Sequence, residues 1–210
     1  MAKYNLSLLL LSLTILLIVS GVTSCRRCSK TRAFINYSCS TTRYPKVCEQ
    51  TLSGYVNSTN ISHEELAQIT LRASLARARF ARAYLTKLAS NLKKSPHVFE
   101  YRAIGSCIDQ INDSVAQLRQ SLLELQKYST EGGVDDFMWH MSNVVTWAST
   151  ALTDQTECAQ AFSGSGRGKS LRNVIKAKVN DVSHVTSNAL ALVNRFVTRR
   201  RFAHRSIHKP

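Results

Sequence analysis

The chain has 210 residues, and its 28 lysines and arginines outnumber its 13 acidic residues to give a formal net charge of +15. A chain of this length is expected to form one domain with a hydrophobic core. No segment beyond residue 24 is apolar enough to cross a bilayer, which excludes a membrane-spanning class for the rest of the chain. So large an excess of positive charge predicts association with polyanions.

The first 24 residues have the pattern of a secretory signal peptide. Lys3 precedes an apolar run from Leu6 to Val19, and small residues follow at the positions that signal peptidase recognises. The run is shorter than the roughly 20 residues of a membrane anchor. The mature protein is therefore expected to be extracellular and soluble, and the loss of Lys3 lowers its net charge from +15 to +14. Acidic polysaccharide, an anionic membrane surface or an acidic protein is then a better candidate partner than nucleic acid.

Secretion also changes the interpretation of the six cysteines, because an oxidising compartment favours disulfides over metal sites. Cys25 and Cys28 stand at the expected mature N-terminus with Cys-x-x-Cys spacing. A local disulfide or a frayed end is favoured there over redox or zinc chemistry. The four remaining cysteines are Cys39, Cys48, Cys107 and Cys158.

Residues 34–62 are predicted to form a short helical hairpin. Pro45 can begin a helix but not continue one, and it disfavours the helical conformation at the residue before it. The sequence therefore predicts a short helix, a turn over residues 42–44 and a second short helix. A disulfide between Cys39 and Cys48 would join the two helices.

The first long helix is predicted from about His63 to Lys94. Ser62 is its predicted N-cap, with Glu65 three residues later in the spacing of a capping box. The outer faces carry cations with no acidic residue among them, which predicts a polyanion contact at Arg72 and Arg79; the alternative is an ordinary solvated face. The predicted buried stripe consists of Leu66, Ile69, Ala73, Ala76, Phe80 and Ala83.

The segment from Cys107 to Cys158 has the clearest apolar pattern. One a/d repeat precedes a break at Glu131-Gly132-Gly133, and a second repeat follows it. Two helices that fold back antiparallel at this break would place the two cysteines side by side, so a disulfide is predicted between them, which leaves Cys39 for Cys48. The two predicted stripes are Ile104, Ile108, Ile111, Val115, Leu118, Leu122 and Leu125, and then Met138, Met141, Val145, Ala148 and Leu152.

A last helix is predicted from about Ser170 to Thr198, and residues 201–210 form a basic tail. With Arg199, Arg200 and Arg201, this tail is predicted to be disordered and to add electrostatic affinity for a polyanion. The predicted apolar stripe of the helix is Leu171, Val174, Val182, Val185, Ala189, Leu192 and Phe196.

The sequence contains no recognisable catalytic set, metal cluster or cofactor motif. Trp139 and Trp147 are interpreted as packing in the core or at the bundle edge. Four amphipathic helices without strand-like periodicity predict an all-α, up-and-down four-helix bundle over residues 63–200, preceded by the short hairpin. These features favour a binding module over an enzyme. Glycosylation is predicted at the four sequons of Asn36, Asn57, Asn60 and Asn112.

The spacing Cys-x8-Cys between Cys39 and Cys48 encloses the motif Thr42-x-Tyr44-Pro45-x-x-Cys48. This segment resembles the N-terminal signature of the plant invertase and pectin methylesterase inhibitors. The resemblance covers nearly the whole mature chain, including the third and fourth cysteines and the run from Val144 to Thr153. It implies an inhibitor domain over residues 34–200, and it implies the same pairing of the first cysteine with the second and of the third with the fourth.

The resemblance further implies inhibition of a cell-wall enzyme by one-to-one docking. Together with the signal peptide and the sequons, it predicts a secreted glycoprotein of the cell wall or apoplast. In the family's pectin methylesterase inhibitors, the second and third bundle helices cover the substrate cleft with help from the fourth. The family usually has Thr directly before the fourth cysteine, where this chain has Glu157. The partner-binding residues implied on the third helix are Thr146, Ser149, Thr153, Thr156 and Glu157.

The family's invertase inhibitors carry a Pro-Lys-Phe element near the turn between those two helices, and the turn over residues 129–137 lacks it. Pectin methylesterase is therefore the preferred target, and acid invertase is the alternative. A hypothesis of a different class is a basic wall protein that binds acidic pectin without inhibiting an enzyme.

Overall fold

The computed structural model describes residues 29–55, 61–92, 98–128, 133–163 and 168–207, with the backbone alone at 98–100 and 204–207. The predicted signal peptide, Cys25, Cys28, Asn57 and Asn60 lie outside these ranges. Within them the protein is all-α and contains no strand. Its helices are α1 over residues 29–40, α2 Pro45–Leu52 with a 3-10 turn Ser53–Tyr55, α3 His63–Leu92, α4 Val98–Lys127, α5 Val134–Gln160 and α6 Lys169–Ile207.

The four long helices form the predicted bundle. Helix α3 packs against α4 and α6, and α5 packs against the same two helices. Helices α3 and α6 are antiparallel, because Ser74 contacts Thr186 whereas Arg77, further along α3, pairs with Asp181 earlier on α6. The disulfide Cys107–Cys158 joins the start of α4 to the end of α5, as the hairpin pattern predicted.

The predicted N-terminal hairpin is confirmed, although α1 begins before Phe34, the predicted start. The disulfide Cys39–Cys48 joins α1 to α2. Asn188 of α6 is buried and holds the turn between them: the Tyr44 N–H donates to Asn188 Oδ1 at 3.1 Å, and Asn188 Nδ2 donates to the Tyr44 carbonyl at 2.9 Å. The hairpin is thus attached to the bundle by hydrogen bonds between its backbone and the Asn188 side chain, as well as by apolar packing of Ile35 and Leu52 in one cluster with Leu192.

The start of α3 has the predicted capping box. The Ser62 N–H donates to Glu65 Oε2 at 2.8 Å, and the Glu65 N–H donates to Ser62 Oγ at 3.1 Å. These two bonds satisfy groups that have no partner within the helix. They fix where α3 begins, and therefore how α2 is connected to the bundle.

The predicted buried stripe of α3 was wrong in register. Of its six residues only Leu66 is buried, and Phe80 is 66% exposed. The core instead receives two polar side chains, Thr70 and Ser74, whose hydroxyls bond to the Leu66 carbonyl and to Thr186. Because each hydroxyl has a partner, it can occupy a position that a hydropathy pattern gives to the surface. The side chains that α3 buries are Leu66, Ala67, Thr70, Leu71, Ser74, Leu75, Ala78, Ala81 and Leu85.

The stripe of α4 is confirmed, with six of its seven residues buried and Ile108 half-buried. In α5, Met141 and Ala148 are buried as predicted, but the other three predicted residues are only half-buried. The buried set includes Gln155, whose Nε2 donates to Ser114 Oγ of α4 at 2.7 Å. The core positions of α5 are Phe137, Met141, Val144, Ala148, Ala151, Gln155, Cys158 and Ala159.

Helix α6 is longer than predicted. It continues past Thr198 to Ile207, through most of the segment that was predicted to be a disordered tail. Val174, predicted to be buried, is 44% exposed, whereas the predicted residues from Val182 to Phe196 are buried.

Candidate partner-binding face

The outer face of α5 carries a stripe of short hydroxyl side chains. All five residues that the family resemblance implied as partner-binding have exposed side chains, and the four hydroxyl residues among them follow one another by three or four positions, which places them on one face of the helix. Ser142 and Thr150 are exposed on the same face. We call this surface the hydroxyl stripe, which consists of Ser142, Thr146, Ser149, Thr150, Thr153 and Thr156, with Glu157 at its end.

Three threonines of the stripe form hydrogen bonds to the backbone of their own helix. Thr150, Thr153 and Thr156 each donate the hydroxyl proton to the carbonyl four residues earlier, at 3.1, 3.2 and 2.7 Å. Each oxygen keeps its acceptor capacity towards solvent. The stripe therefore offers acceptors on small, uncharged side chains, which permit the close approach of another protein's surface.

Trp139 extends this face towards the start of α5. It lies seven residues before Thr146, its side chain is 62% exposed, and its ring contacts His140 edge-on at 4.8 Å. This exposure excludes Trp139 from the core, which was one of its two predicted positions, whereas Trp147 is half-buried. The spacing of seven residues between Trp139 and Thr146 is the sequence signal that places both on one face of α5.

Helix α5 is held firmly to α4 along its length. The disulfide lies at one end, the bond between Gln155 and Ser114 lies further in, and Ser121 Oγ donates to the Val144 carbonyl at 3.0 Å nearer the other end. The hydroxyl stripe therefore sits on a helix whose rotation and position are fixed by polar contacts within the bundle.

Acidic side chains lie close together at the end of the hydroxyl stripe that is nearest the disulfide Cys107–Cys158. Gln110 Nε2 of α4 donates to Glu157 Oε2 at 3.3 Å. Burial raises the pKa of Asp154, and the nearby carboxylates of Asp113 and Glu157 raise it further. This group gives one end of the face a negative charge on a protein that is otherwise strongly basic.

The predicted polyanion-binding arginines lie on two separate helices. Arg72 and Arg79 are exposed and two turns apart on α3, and Arg199 and Arg201 are exposed near the end of α6. The guanidinium of Arg200 instead lies over the rings of Tyr128 and Phe137, 5.9 and 5.5 Å from their centres. Arg200 therefore packs against the end of the bundle, although its role in polyanion binding stays a prediction.

Two predicted glycosylation sites fall within the described ranges, and the side chains of Asn36 and Asn112 are exposed. No group of three or more His, Cys, Asp or Glu side chains within those ranges is arranged to hold a metal ion. None of the described helices has the length and apolar character needed to cross a membrane.

Comparison with known proteins identifies the family. Residues 33–192 match the family model for plant invertase/pectin methylesterase inhibitors. The chain is 45% identical over 195 residues to pectinesterase inhibitor 9 of Arabidopsis thaliana. The aligned segment covers 91% of this chain and 93% of that one. It is 40% identical over 166 residues to a 21 kDa protein of Daucus carota, covering 79% of this chain and 84% of that one.

Solved structures share the fold. A mutant form of a pectin methylesterase inhibitor from Arabidopsis superimposes with a TM-score of 0.58 at 20% identity, covering 74% of this chain and 92% of that one. The helical bundle, the two disulfides and the extent of the sequence match agree with one another. This chain belongs to the plant invertase/pectin methylesterase inhibitor family.

Proposed function

We propose that the protein is a secreted inhibitor of a cell-wall pectin methylesterase and that it docks one-to-one over the substrate cleft of the enzyme. The observation that carries this proposal is the hydroxyl stripe, an exposed row of short hydroxyl side chains on the third bundle helix that ends at the carboxylate of Glu157. The names of the relatives support the target, because several of them are pectinesterase inhibitors. The predicted signal peptide and the two disulfides support a location outside the cell, in the wall or apoplast.

Inhibition of this kind needs a surface, not a catalytic group. A rigid helix pair can cover a cleft with little loss of conformational entropy, because α5 is already fixed to α4 by the disulfide and by the bonds of Gln155 and Ser121. The short side chains of the stripe have few rotamers to lose on binding. We accordingly propose that the protein acts as an inhibitor without catalysis of its own.

Acid invertase is the alternative target, and the turn between α4 and α5 is the feature that counts against it. This turn contains no Pro-Lys-Phe element. Residues 129–132 of the turn lie outside the described structure, so the preference for pectin methylesterase rests on their sequence.

The direct test is a titration of the purified mature protein against a pectin methylesterase and an acid invertase side by side. We expect pectin methylesterase activity to fall to a minimum at a molar ratio of about one, the stoichiometry of a single docking face, while invertase keeps its activity. Loss of invertase activity alone would reverse the preference. If both enzymes kept full activity, the inhibitor proposal would be wrong.

A matched pair of variants tests whether the hydroxyl stripe is the docking face. Thr153→Arg introduces a long charged side chain into the stripe, and Thr86→Arg introduces the same side chain on the exposed surface of α3. Both threonines are exposed and donate to the carbonyl four residues earlier, so the two changes are locally alike. We expect Thr153→Arg to abolish inhibition and Thr86→Arg to leave it intact. Equal inhibition by the two variants would place the docking face elsewhere.

A further inference from the structure

A shallow cleft of about 660 Å³ lies along the outer face of α6 near its C-terminal end. Five side chains of one helix face line it, spaced by one, three, one and three residues. They include two cations, an amide, a hydroxyl and an aromatic ring. The lining residues are Asn194, Arg195, Thr198, Arg199 and Phe202.

The two arginines of the cleft face no acidic side chain of their own helix, because α6 has none after Asp181. Arg195 is held in place by bonds to α1: its Nη1 donates to the Tyr37 and Ser38 carbonyls at 3.4 and 3.1 Å, and its guanidinium lies 5.5 Å from the centre of the Tyr37 ring. Arg199 is exposed beside it. The pair is a fixed cation next to an exposed one, an arrangement suited to carboxylates.

His63, at the start of α3, lies within range of the charges of both arginines. Burial lowers the pKa of His63 at the start of α3, and the charges of Arg199 and Arg195 lower it further. A histidine is harder to protonate where the surrounding field is positive. The same field attracts an anion that enters the cleft from solvent.

The other side chains in and beside the cleft can contact uncharged parts of a ligand. Phe202 is 61% exposed, and the Tyr37 ring next to Arg195 is 59% exposed. The Thr198 hydroxyl donates to the Asn194 carbonyl at 2.8 Å and keeps its acceptor capacity, and the Asn194 amide is exposed. Exposed rings, an amide and a hydroxyl suit a ligand that has apolar C–H faces and hydroxyl groups as well as negative charge.

We propose that this cleft binds an acidic oligosaccharide, a chain of uronic acid units. The carboxylates pair with Arg195 and Arg199, the C–H face of a sugar ring packs on Phe202, and the sugar hydroxyls bond to Asn194 and Thr198. A polymer that offers only phosphate or sulfate would use the arginines and leave the ring without a role. The site lies on α6 rather than on the hydroxyl stripe of α5, and the proposal does not depend on which enzyme the protein inhibits.

The test measures the binding of oligogalacturonates of defined length to the mature protein by calorimetry at physiological ionic strength. Two variants remove cleft residues, Arg199→Gln and Phe202→Ala. Two matched controls make the same changes elsewhere on the surface, Arg119→Gln on α4 and Phe80→Ala on α3, where the side chains are also exposed. We expect Arg199→Gln to weaken binding about tenfold, the loss of one charge-assisted contact, and Arg119→Gln to weaken it less than about twofold. Phe202→Ala is expected to weaken binding about fivefold and Phe80→Ala to leave it unchanged.

Three results would overturn the proposal. The first is failure of the unaltered protein to bind oligogalacturonate. The second is an equal loss with Arg119→Gln and Arg199→Gln, which would show that the whole cationic surface attracts the anion. The third is tight binding of polyphosphate together with unchanged oligogalacturonate binding by Phe202→Ala, which would leave only non-specific electrostatics. Thermal unfolding of each variant distinguishes a lost contact from a lost fold, and no enzyme is present in the assay, so the outcome is separate from that of the inhibitor proposal.

Discussion

Glu124 of α4 and His140 of α5 share a hydrogen bond across the helix pair, with 2.8 Å between Glu124 Oε1 and His140 Nδ1. Asn143 Nδ2 donates to the same oxygen at 3.1 Å, and Lys127 Nζ donates to Oε2 at 3.1 Å. The Glu124 side chain is only 3% exposed. Its burial raises the pKa, but the donors Asn143, His140 and Lys127 outweigh burial and hold the pKa below the ordinary value of 4.5. An ionised carboxylate only accepts hydrogen bonds, so His140 Nδ1 carries the donated proton.

The depressed pKa of Glu124 predicts a loss of stability in acid. The unfolded chain takes up the proton at a higher pH than the folded protein does, so the stabilising contribution is complete above the ordinary value of 4.5 and is lost as the pH falls through the folded pKa. We expect Glu124→Gln to lower the free energy of unfolding by about 2 kcal/mol at neutral pH and to flatten its decline in acid. Urea denaturation at a series of pH values measures both effects.

The control for Glu124 is Asp109→Asn, which removes an exposed carboxylate from the same helix. We expect this variant to keep the acid dependence of the unaltered protein. If Glu124→Gln retained the full acid dependence, other carboxylates would have to account for it.

The pKa shift of Asp154 has the opposite sign to that of Glu124. Its pKa is raised, so the folded protein holds the proton to a higher pH than the unfolded chain, and ionised Asp154 destabilises the fold above the folded pKa. Its Oδ2 atom is buried and accepts no hydrogen bond from the described residues. We expect Asp154→Asn to raise the melting temperature at neutral pH, with a gain that shrinks towards acidic pH. A gain that stayed constant with pH would show that the charge is not its cause.

The hydroxyls of Ser74 and Thr186 meet in the core between α3 and α6, where both side chains are fully buried. Thr186→Val leaves the Ser74 hydroxyl without its partner on α6, and we expect a cost of about 2 kcal/mol. Ser74→Ala should cost less, because Thr186 also donates to the Val182 carbonyl at 3.0 Å. Removal of both hydroxyls should cost less than the sum of the single changes, and denaturant titration of the three variants measures this coupling. Additive costs would contradict the bond.

The two disulfides should differ in their contribution to stability. Cys107–Cys158 spans 51 residues and Cys39–Cys48 spans 9. In the chain-entropy description, replacing the first pair with alanine costs about 4 kcal/mol and replacing the second costs about 3 kcal/mol. Chemical denaturation of the two double variants gives the comparison. A larger cost for the shorter loop would mean that attachment of the hairpin matters more than loop closure.

Trp139 is expected to be an anchor of the inhibitory complex. A large exposed aromatic beside a stripe of small residues has the character of an interface hot spot, and its truncation costs about 2 kcal/mol in such interfaces, a weakening of about 30-fold in the inhibition constant. The measurement is the inhibition constant of Trp139→Ala against pectin methylesterase, with the melting temperature as a check of folding. Phe80→Ala is the control, because Phe80 is exposed to a similar extent on α3. Unchanged inhibition by Trp139→Ala would remove this residue from the face.

Local sequence features determined much of this protein. The Thr-x-Tyr-Pro-x-x-Cys motif, the capping box at Ser62 and the a/d repeat of α4 each specify a local conformation through backbone restriction, hydrogen bonding or periodic burial. The order and number of the helices followed from these features, as did the pairing of the four cysteines. The exposed run of Ser and Thr on α5 could also be predicted, because the family resemblance assigned these residues to a single helix.

Only the tertiary structure decided the register of the buried faces and the position of the charged groups. Ser74 and Gln155 enter the core because Thr186 and Ser114 come from other helices to bond with them, and no local pattern contains those partners. Phe80 and Trp139 stay outside because the faces of α3 and α5 that turn to the core carry Ala78 and Ala81 in the first helix and Phe137 and Met141 in the second. The arginines of α6 acquire their surroundings in the same way, since Arg195 is fixed by carbonyls of α1, more than 150 residues away in the chain. Hydropathy gives each residue a preference for the core or for the surface. A hydrogen-bond partner from another helix can override this preference, and only folding brings that partner into place.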